Sequence, residues 1–291
     1  MSYTVTAAAL ACSGFATREH RVTDRPPALP PAAMTSSSLP LLPHAGAAGV
    51  VAAPRRRPAL SLLASEPLRA TLEAVQALGH WRAPPQATGH GHTVLLFPGL
   101  GTDGLTLWPL RRHLERAGYR ALDWGQGRNT GPRGDVDAWL DQLAETLHPR
   151  VAPARELSLV GWSLGGFYAR ELAKRWHDRV HHVITLGTPF NGSADDTNVG
   201  WLFRLLNGRR PPDEAALRAR LAEPPPVPTI SLYSRRDGVV SWEACTHARR
   251  WPLARDIEVQ ASHLGMSWAP EVLARVAGLL ACRPGMLRLR A

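Results

Sequence analysis

Gly161-Trp162-Ser163-Leu164-Gly165 sets one serine between two glycines, with a further small residue, Gly166, behind it. That spacing suits a serine on a sharp strand-to-helix turn, because small neighbours let the chain close tightly while the hydroxyl stands clear. Leu157-Ser158-Leu159-Val160 precedes the motif as a short apolar run, and Phe167 to Trp176 follows as a helical stretch. A serine hydroxyl attacks an acyl carbon only when a base takes its proton, and the base needs a carboxylate to orient it. The base and its carboxylate must therefore come from segments that end on the same rim as the serine. Asp237 follows the apolar run Thr229–Tyr233, and His263 follows Asp256–Val259, so both are expected on the same rim as Ser163. His247 falls in an expected helical stretch, and His177, His181 and His182 lie before a strand. Asp256 opens a strand, so these are poorer candidates.

Attack at an acyl carbon creates an oxyanion that needs hydrogen-bond donors. The backbone N–H of Leu164, directly after the serine, is one expected donor. Pro98-Gly99-Leu100-Gly101-Thr102-Asp103 supplies the other, with the N–H of Leu100 preferred and Gly101 or Thr102 as alternatives.

These residues need a scaffold that brings distant segments to one edge. Thr93–Phe97, Tyr119–Trp124, Leu157–Trp162, His182–Leu186, Thr229–Tyr233 and Asp256–Val259 read as short strands. Helical stretches fall near 107–117, 135–147, 163–176, 242–249 and 270–280. Apolar strands separated by helices predict a parallel sheet covered on both faces, with ligands beyond the strands' carboxyl ends. Ahead of this core, Leu68, Leu72, Val75 and Leu78 repeat at helical spacing, predicting a helix from Glu66 to about Leu78 that stops at Gly79. Residues 1–65 are expected to form a disordered Ala/Pro/Arg-rich tail, 66–90 the N-terminal helix and a Pro/Gly/His linker, and 91–283 one folded domain. Met34 opens Met-Thr-Ser-Ser-Ser and is a second candidate start for the chain.

Composition narrows the partners. The net charge is +10, yet Lys174 is the only lysine among 34 basic residues. Such a skew points to a biased coding composition rather than to a phosphate-binding surface, so no nucleic-acid partner is expected. Arg55-Arg56-Arg57 reads as part of a solvated linker. The apolar stretch Ala7–Cys12 has no basic residue before it and is far shorter than the ~20 residues that span a bilayer. Neither a secretory signal nor an integral membrane segment is expected. Cys12, Cys245 and Cys282 make no framework, although Cys245 and Cys282 could meet, so a reducing, cytoplasmic setting is the default. His90-Gly91-His92 is half a metal site without a third ligand nearby, so no metal or organic cofactor is expected.

Taken together, Phe97-Pro98-Gly99-Leu100-Gly101, Gly161-Trp162-Ser163-Leu164-Gly165-Gly166, Gly187-Thr188-Pro189-Phe190-Asn191-Gly192, Ser234-Arg235-Arg236-Asp237-Gly238-Val239-Val240 and Ser262-His263 resemble the α/β-hydrolase superfamily in its lipase-like branch. The segments Trp124–Pro132 and Tyr233–Cys245 are also similar to those of a bacterial group of α/β-hydrolases. The resemblance spans about Thr93 to Cys282. It implies a mostly parallel sheet with helices on both faces and a small lid insertion, and a Ser163–His263–Asp237 triad, but no particular substrate. The Phe-Pro-Gly start of the oxyanion loop departs from the His-Gly of many esterases, a change that a backbone donor tolerates.

In this fold the insertion Asn191–Pro228 occupies the place of a lid. Its apolar cluster includes Trp201 and Phe203, which either meet a hydrophobic ester or pack the insertion onto the core. Trp162, beside the serine, is a further candidate for substrate contact, as is Arg128 in the Gly-rich loop after the second strand, where it would clamp an anionic group. The expected partner is a small hydrophobic ester, cleaved through an acyl-serine. An acyltransferase with the same triad, or a catalytically silent binding fold, are the competing readings.

Overall fold

The computed structural model describes residues 57–80, 89–192 and 219–282. Its centre is one sheet of six parallel strands: β1 Thr93–Phe97, β2 Arg120–Asp123, β3 Leu157–Trp162, β4 Val180–Leu186, β5 Thr229–Tyr233 and β6 Ala254–Glu258. The strand order is β2-β1-β3-β4-β5-β6, and every neighbouring pair is parallel. The chain therefore steps outward from β1 to β2 and returns past β1 to β3. The carboxyl ends of β1 and β3 face each other across this reversal, where open α/β sheets leave a crevice.

Alternation along the strands divides the core in two, because successive side chains leave opposite faces of a sheet. Val94 and Leu96 of β1 point to the face covered by α2 (Trp108–Arg116) and α5 (Pro270–Ala281), where they join Leu110, Leu114, Val272 and Val276. Leu95 and Phe97 point to the other face, covered by α3 (Val136–Val151) and α4 (Leu164–Arg175), and meet Leu140, Leu147, Tyr168 and Leu172. Burial on both faces explains why β1 reads as apolar from Val94 onward and β3 as apolar but for Ser158, whose Oγ meets His92 Nε2 at 2.9 Å. Local signals fix the helix starts. Asp135 caps α3 by accepting the N–H of Ala138 at 2.9 Å, and proline occupies the first turn of α2 and of α5.

Several boundaries differ from the sequence expectation; β6, for one, begins at Ala254, so Asp256 lies inside the strand rather than opening it. The N-terminal helix, α1, runs from Leu60 to His80 and so begins six residues before Glu66, inside the stretch expected to be tail. Ser65 and Pro67 look like helix breakers, but Ser65 Oγ donates to the Leu62 carbonyl within the same turn. The stripe used to recognise this helix also faces outward, with Leu68 65% and Leu72 53% exposed. The expected helix at 242–249 is a single 3-10 turn, Trp242–Cys245. It stops because Thr246 is extended and the His247 N–H donates to Asp256 Oδ2 rather than back along a helix. Finally, β4 starts at Val180 rather than His182.

The insertion's beginning and end fall among the described residues. Its end is tied to α4, where buried Arg170 donates to the carbonyls of Leu221 and Ala222 and lies 3.8 Å from the Phe190 ring centre. Cys245 carries a free, buried thiol, so the pairing with Cys282 left open by the sequence is not made. Among the described residues no helix is long and apolar enough to cross a membrane.

Candidate active site

Ser163 sits between β3 and α4 with φ 53° and ψ −121°, a backbone conformation that residues with a Cβ rarely adopt. The surrounding packing enforces it. A Cβ on Gly161 would collide with the backbone of Gly165 and Gly166, and one on Gly165 would collide with the carbonyl of Phe97 at the end of β1. The Ser163 N–H donates to Leu186 on β4 at 2.8 Å, and Thr188 Oγ1 donates to the Ser163 carbonyl at 2.9 Å. Both bonds tie the turn to β4 and the loop after it, and the serine side chain is left half-buried at the carboxyl edge.

Asp237 and His263 arrive at this edge from the ends of β5 and β6. Asp237 Oδ1 accepts the N–H groups of Val239 and Val240 at 2.8 and 2.7 Å, which locks the carboxylate's rotation. Its Oδ2 accepts from His263 Nδ1 at 2.6 Å, and Ser163 Oγ lies 3.1 Å from His263 Nε2. An ionised carboxylate only accepts, so Nδ1 carries the proton and Nε2 is left as an acceptor for the serine hydroxyl. Burial opposes charging of His263, but the Asp237 charge, its hydrogen bond and the nearby Glu66 together raise the imidazole pKa above 6.5. Such a chain can take a proton from a serine hydroxyl and hold it as imidazolium.

The loop 98–103 lies beside the serine, with a Cβ on Gly99 coming within 3.3 Å of Ser163 Cβ. Its backbone donors are not equivalent. Gly101 N–H donates to Asn129 and Thr102 N–H to Gly99, whereas the N–H groups of Leu100 and Leu164 have no acceptor among the described residues. That leaves the preferred pair of donors open.

Other expected contacts are distributed differently. Trp162 is buried and its indole N–H donates to the His263 carbonyl at 3.0 Å, so it supports the histidine loop rather than facing an open cleft. Arg128 is exposed and lines a cavity of about 220 Å³ with Trp124, Arg133 and Trp139, a cavity whose walls include neither Ser163 nor His263. Trp201 and Phe203 lie outside the described residues. His247, set aside above, is engaged with Asp256 at 2.7 Å. His92, from the half metal site, contacts Ser158 at 2.9 Å through Nε2 and Glu156 at 3.3 Å through Nδ1.

Asn129 matters more than its loop sequence suggests. It is fully buried, donates to the Pro98 carbonyl at 2.8 Å, and accepts from Tyr168 Oη at 2.9 Å and from the Gly131 N–H at 3.1 Å. Its backbone bonds the 98–102 loop twice more, through Gly101 and Thr102. The only signal in the sequence is an asparagine in a Gly-rich turn. Asn129→Ala is expected to destabilise the fold by about 1–3 kcal/mol, because it strands buried polar groups. Urea unfolding of the variant checks this.

The comparisons with known proteins bear on this geometry. Residues 94–284 match the model of the alpha/beta hydrolase family. A 104-residue stretch is 28% identical to the pimeloyl-[acyl-carrier protein] methyl ester esterase of Shewanella woodyi, covering 35% of this chain and 38% of that protein. The chain thus spans well under half the length of that relative. Among solved structures, Aspergillus fumigatus lipase B superposes with a TM-score of 0.53 at 18% identity, covering 69% of this chain and 56% of that one. Paleococcus ferrophilus monoacylglycerol lipase gives 0.50 at 16% identity, covering 67% and 96%. At these identities the structures speak for the fold alone. The family match runs from the first core strand past the last core helix and takes in the turn at Ser163, and the chain belongs to the alpha/beta hydrolase family.

Proposed function

We propose that this protein hydrolyses a hydrophobic carboxylic ester through an acyl-enzyme on Ser163. The observation that carries the reading is the continuous hydrogen-bond chain from Asp237 through His263 to a serine held in a strained turn. The esterase named among the relatives supports the same bond class, over the part of that protein which this chain spans.

In the first half-reaction His263 Nε2 takes the proton of Ser163 as Oγ attacks the ester carbonyl. The oxyanion is received by the N–H groups of Leu164 and Leu100. The intermediate collapses as the imidazolium protonates the departing alcohol. Water then enters, gives a proton to His263 and attacks the acyl carbon, and the acid leaves as the proton returns to Ser163. Asp237 stays ionised throughout, fixing the tautomer and balancing the imidazolium. No step calls on a cofactor.

The reading is tested with p-nitrophenyl esters from acetyl to palmitoyl, together with a fluorophosphonate probe followed by peptide mass spectrometry. The expected result is turnover with a chain-length optimum, and one equivalent of probe on the peptide containing Ser163. Turnover that persists while the probe leaves Ser163 unmodified would overturn the mechanism. Added acceptor alcohol decides between hydrolysis and acyl transfer: free acid as the main product supports the first, a new ester the second.

A further inference from the structure

Helix α1 is built the wrong way round for a surface helix. Leu60, Leu68, Leu72 and Leu78 face outward, while its two acidic residues, Glu66 and Glu73, are only 3% and 8% exposed. Seven residues is about two turns, so the two carboxylates lie one above the other on the inner face. The apolar groups buried on that face are small, Ala70 and Ala77. Hydrophobic burial therefore does little to seat this helix, and hydrogen bonds do most of it.

Those bonds converge on the two loops that carry Asp237 and His263. Glu66 Oε1 accepts the N–H of Gly238, next to Asp237, at 2.6 Å, and the N–H of His263 itself at 3.0 Å. A single carboxylate oxygen thus joins the loop after β5 to the loop after β6. Glu73 grips the second loop one residue earlier: Oε1 accepts the Ser262 N–H at 2.8 Å and Oε2 accepts Ser262 Oγ at 2.5 Å. Trp268 closes the same loop by donating to the Ala70 carbonyl at 3.0 Å. Arg69 ties Glu66, at 3.1 Å, to the Arg236 carbonyl in the first loop. The fit leaves no room for a side chain, since a Cβ on Gly265 would collide with Glu73 Oε2.

We propose that Glu66, backed by Glu73, is a positioning residue for the reaction, clamping the Asp237 and His263 loops so that the acid–base pair keeps its spacing and its aim at Ser163. The proposal rests on the reading of Ser163, His263 and Asp237 as the triad. The groups facing His263 are Asp237 and Ser163 from the sheet edge and Glu66 from α1, with Arg69 and Glu73 behind Glu66. Glu66 is one of the charges that raise the His263 pKa, so its loss has a signature that mere loosening lacks. With less negative charge nearby, His263 loses its proton at lower pH.

Glu66→Gln is isosteric and keeps an acceptor oxygen. It is expected to lower kcat roughly 10-fold with KM within about two-fold, and to move the acidic limb of the kcat/KM profile to lower pH. Glu66→Ala, which removes the bridge, is expected to lose on the order of 100-fold in kcat, the scale of an ångström-sized misplacement of catalytic groups. Glu73→Gln, tested alongside, is expected to lose a few-fold in kcat with the acidic limb in place. Wild-type kcat and an unmoved limb in Glu66→Gln overturn the proposal. If that variant does not fold, wild-type kcat in Glu73→Gln overturns it instead. Ser163→Ala measured in parallel separates the two claims: if it is active the triad reading fails, and if it is inactive while the glutamate variants are normal only the clamp fails.

Discussion

Ser163→Ala is expected to lower kcat for a short p-nitrophenyl ester by roughly 10⁴- to 10⁶-fold with the fold intact, because it removes the atom that carries the acyl group. The substitution deletes one oxygen from a half-buried site whose backbone is tied by Leu186 and Thr188, so the turn has no reason to rearrange. His263→Ala is expected to fall nearly as far, since the hydroxyl then has no acceptor at 3.1 Å. The decisive comparison is the double variant. Groups that act as a unit lose their effect once, so Ser163→Ala combined with His263→Ala should be no slower than either alone. Losses that multiply would mean the two side chains work independently and that the hydrogen bond between them is incidental. Residual rate above the uncatalysed reaction, where any is measurable, falls to binding and to the N–H groups of Leu100 and Leu164.

Much of this arrangement was legible in the chain because strand edges turn sequence order into spatial order. Once β3, β5 and β6 are read as strands, Ser163, Asp237 and His263 fall on one rim without any knowledge of their contacts. The glycines at 161 and 165 were equally readable, since each marks a place where two backbones nearly touch. What stayed hidden depended on direction rather than on element type. The spacing of Leu68, Leu72, Val75 and Leu78 correctly announces a helix, yet periodicity gives no sign of which face will be covered. Here the polar face is covered, because the backbone N–H groups of two loops need acceptors and glutamates supply them. Asn129 and Trp162 escaped for a related reason. An asparagine in a turn and an aromatic beside a serine both suggest local or substrate-facing roles. Their partners, the Pro98 and His263 carbonyls, are 31 and 101 residues away.

Asp237→Asn separates geometry from charge, and its expected cost is about 10⁴-fold in kcat. In the native chain Oδ1 takes two backbone N–H groups and Oδ2 takes the His263 Nδ1 proton. An asparagine satisfies the first pair only by keeping its carbonyl there, which turns its NH₂ toward Nδ1. Two donors cannot face each other at 2.6 Å, so the imidazole must move its proton to Nε2. The nitrogen beside Ser163 then donates instead of accepting, and the base is lost although every heavy atom remains near its place. The opposite amide orientation brings NH₂ against the N–H groups of both Val239 and Val240, which is worse. Charge adds a second, independent signature. Burial lowers the His263 pKa, and the Asp237 charge and hydrogen bond, aided by Glu66, override it. The neutral imidazole is the active form, so the native rate should rise with pH through a value above 6.5. Without the Asp237 charge, that limb should move to lower pH in whatever activity remains. A modest loss with an unmoved limb would mean that Asp237 neither sets the tautomer nor holds the charge, and another carboxylate would have to be sought. Glu66 is the nearest alternative, but it reaches the His263 backbone rather than the ring, and so can steer the histidine without replacing its partner.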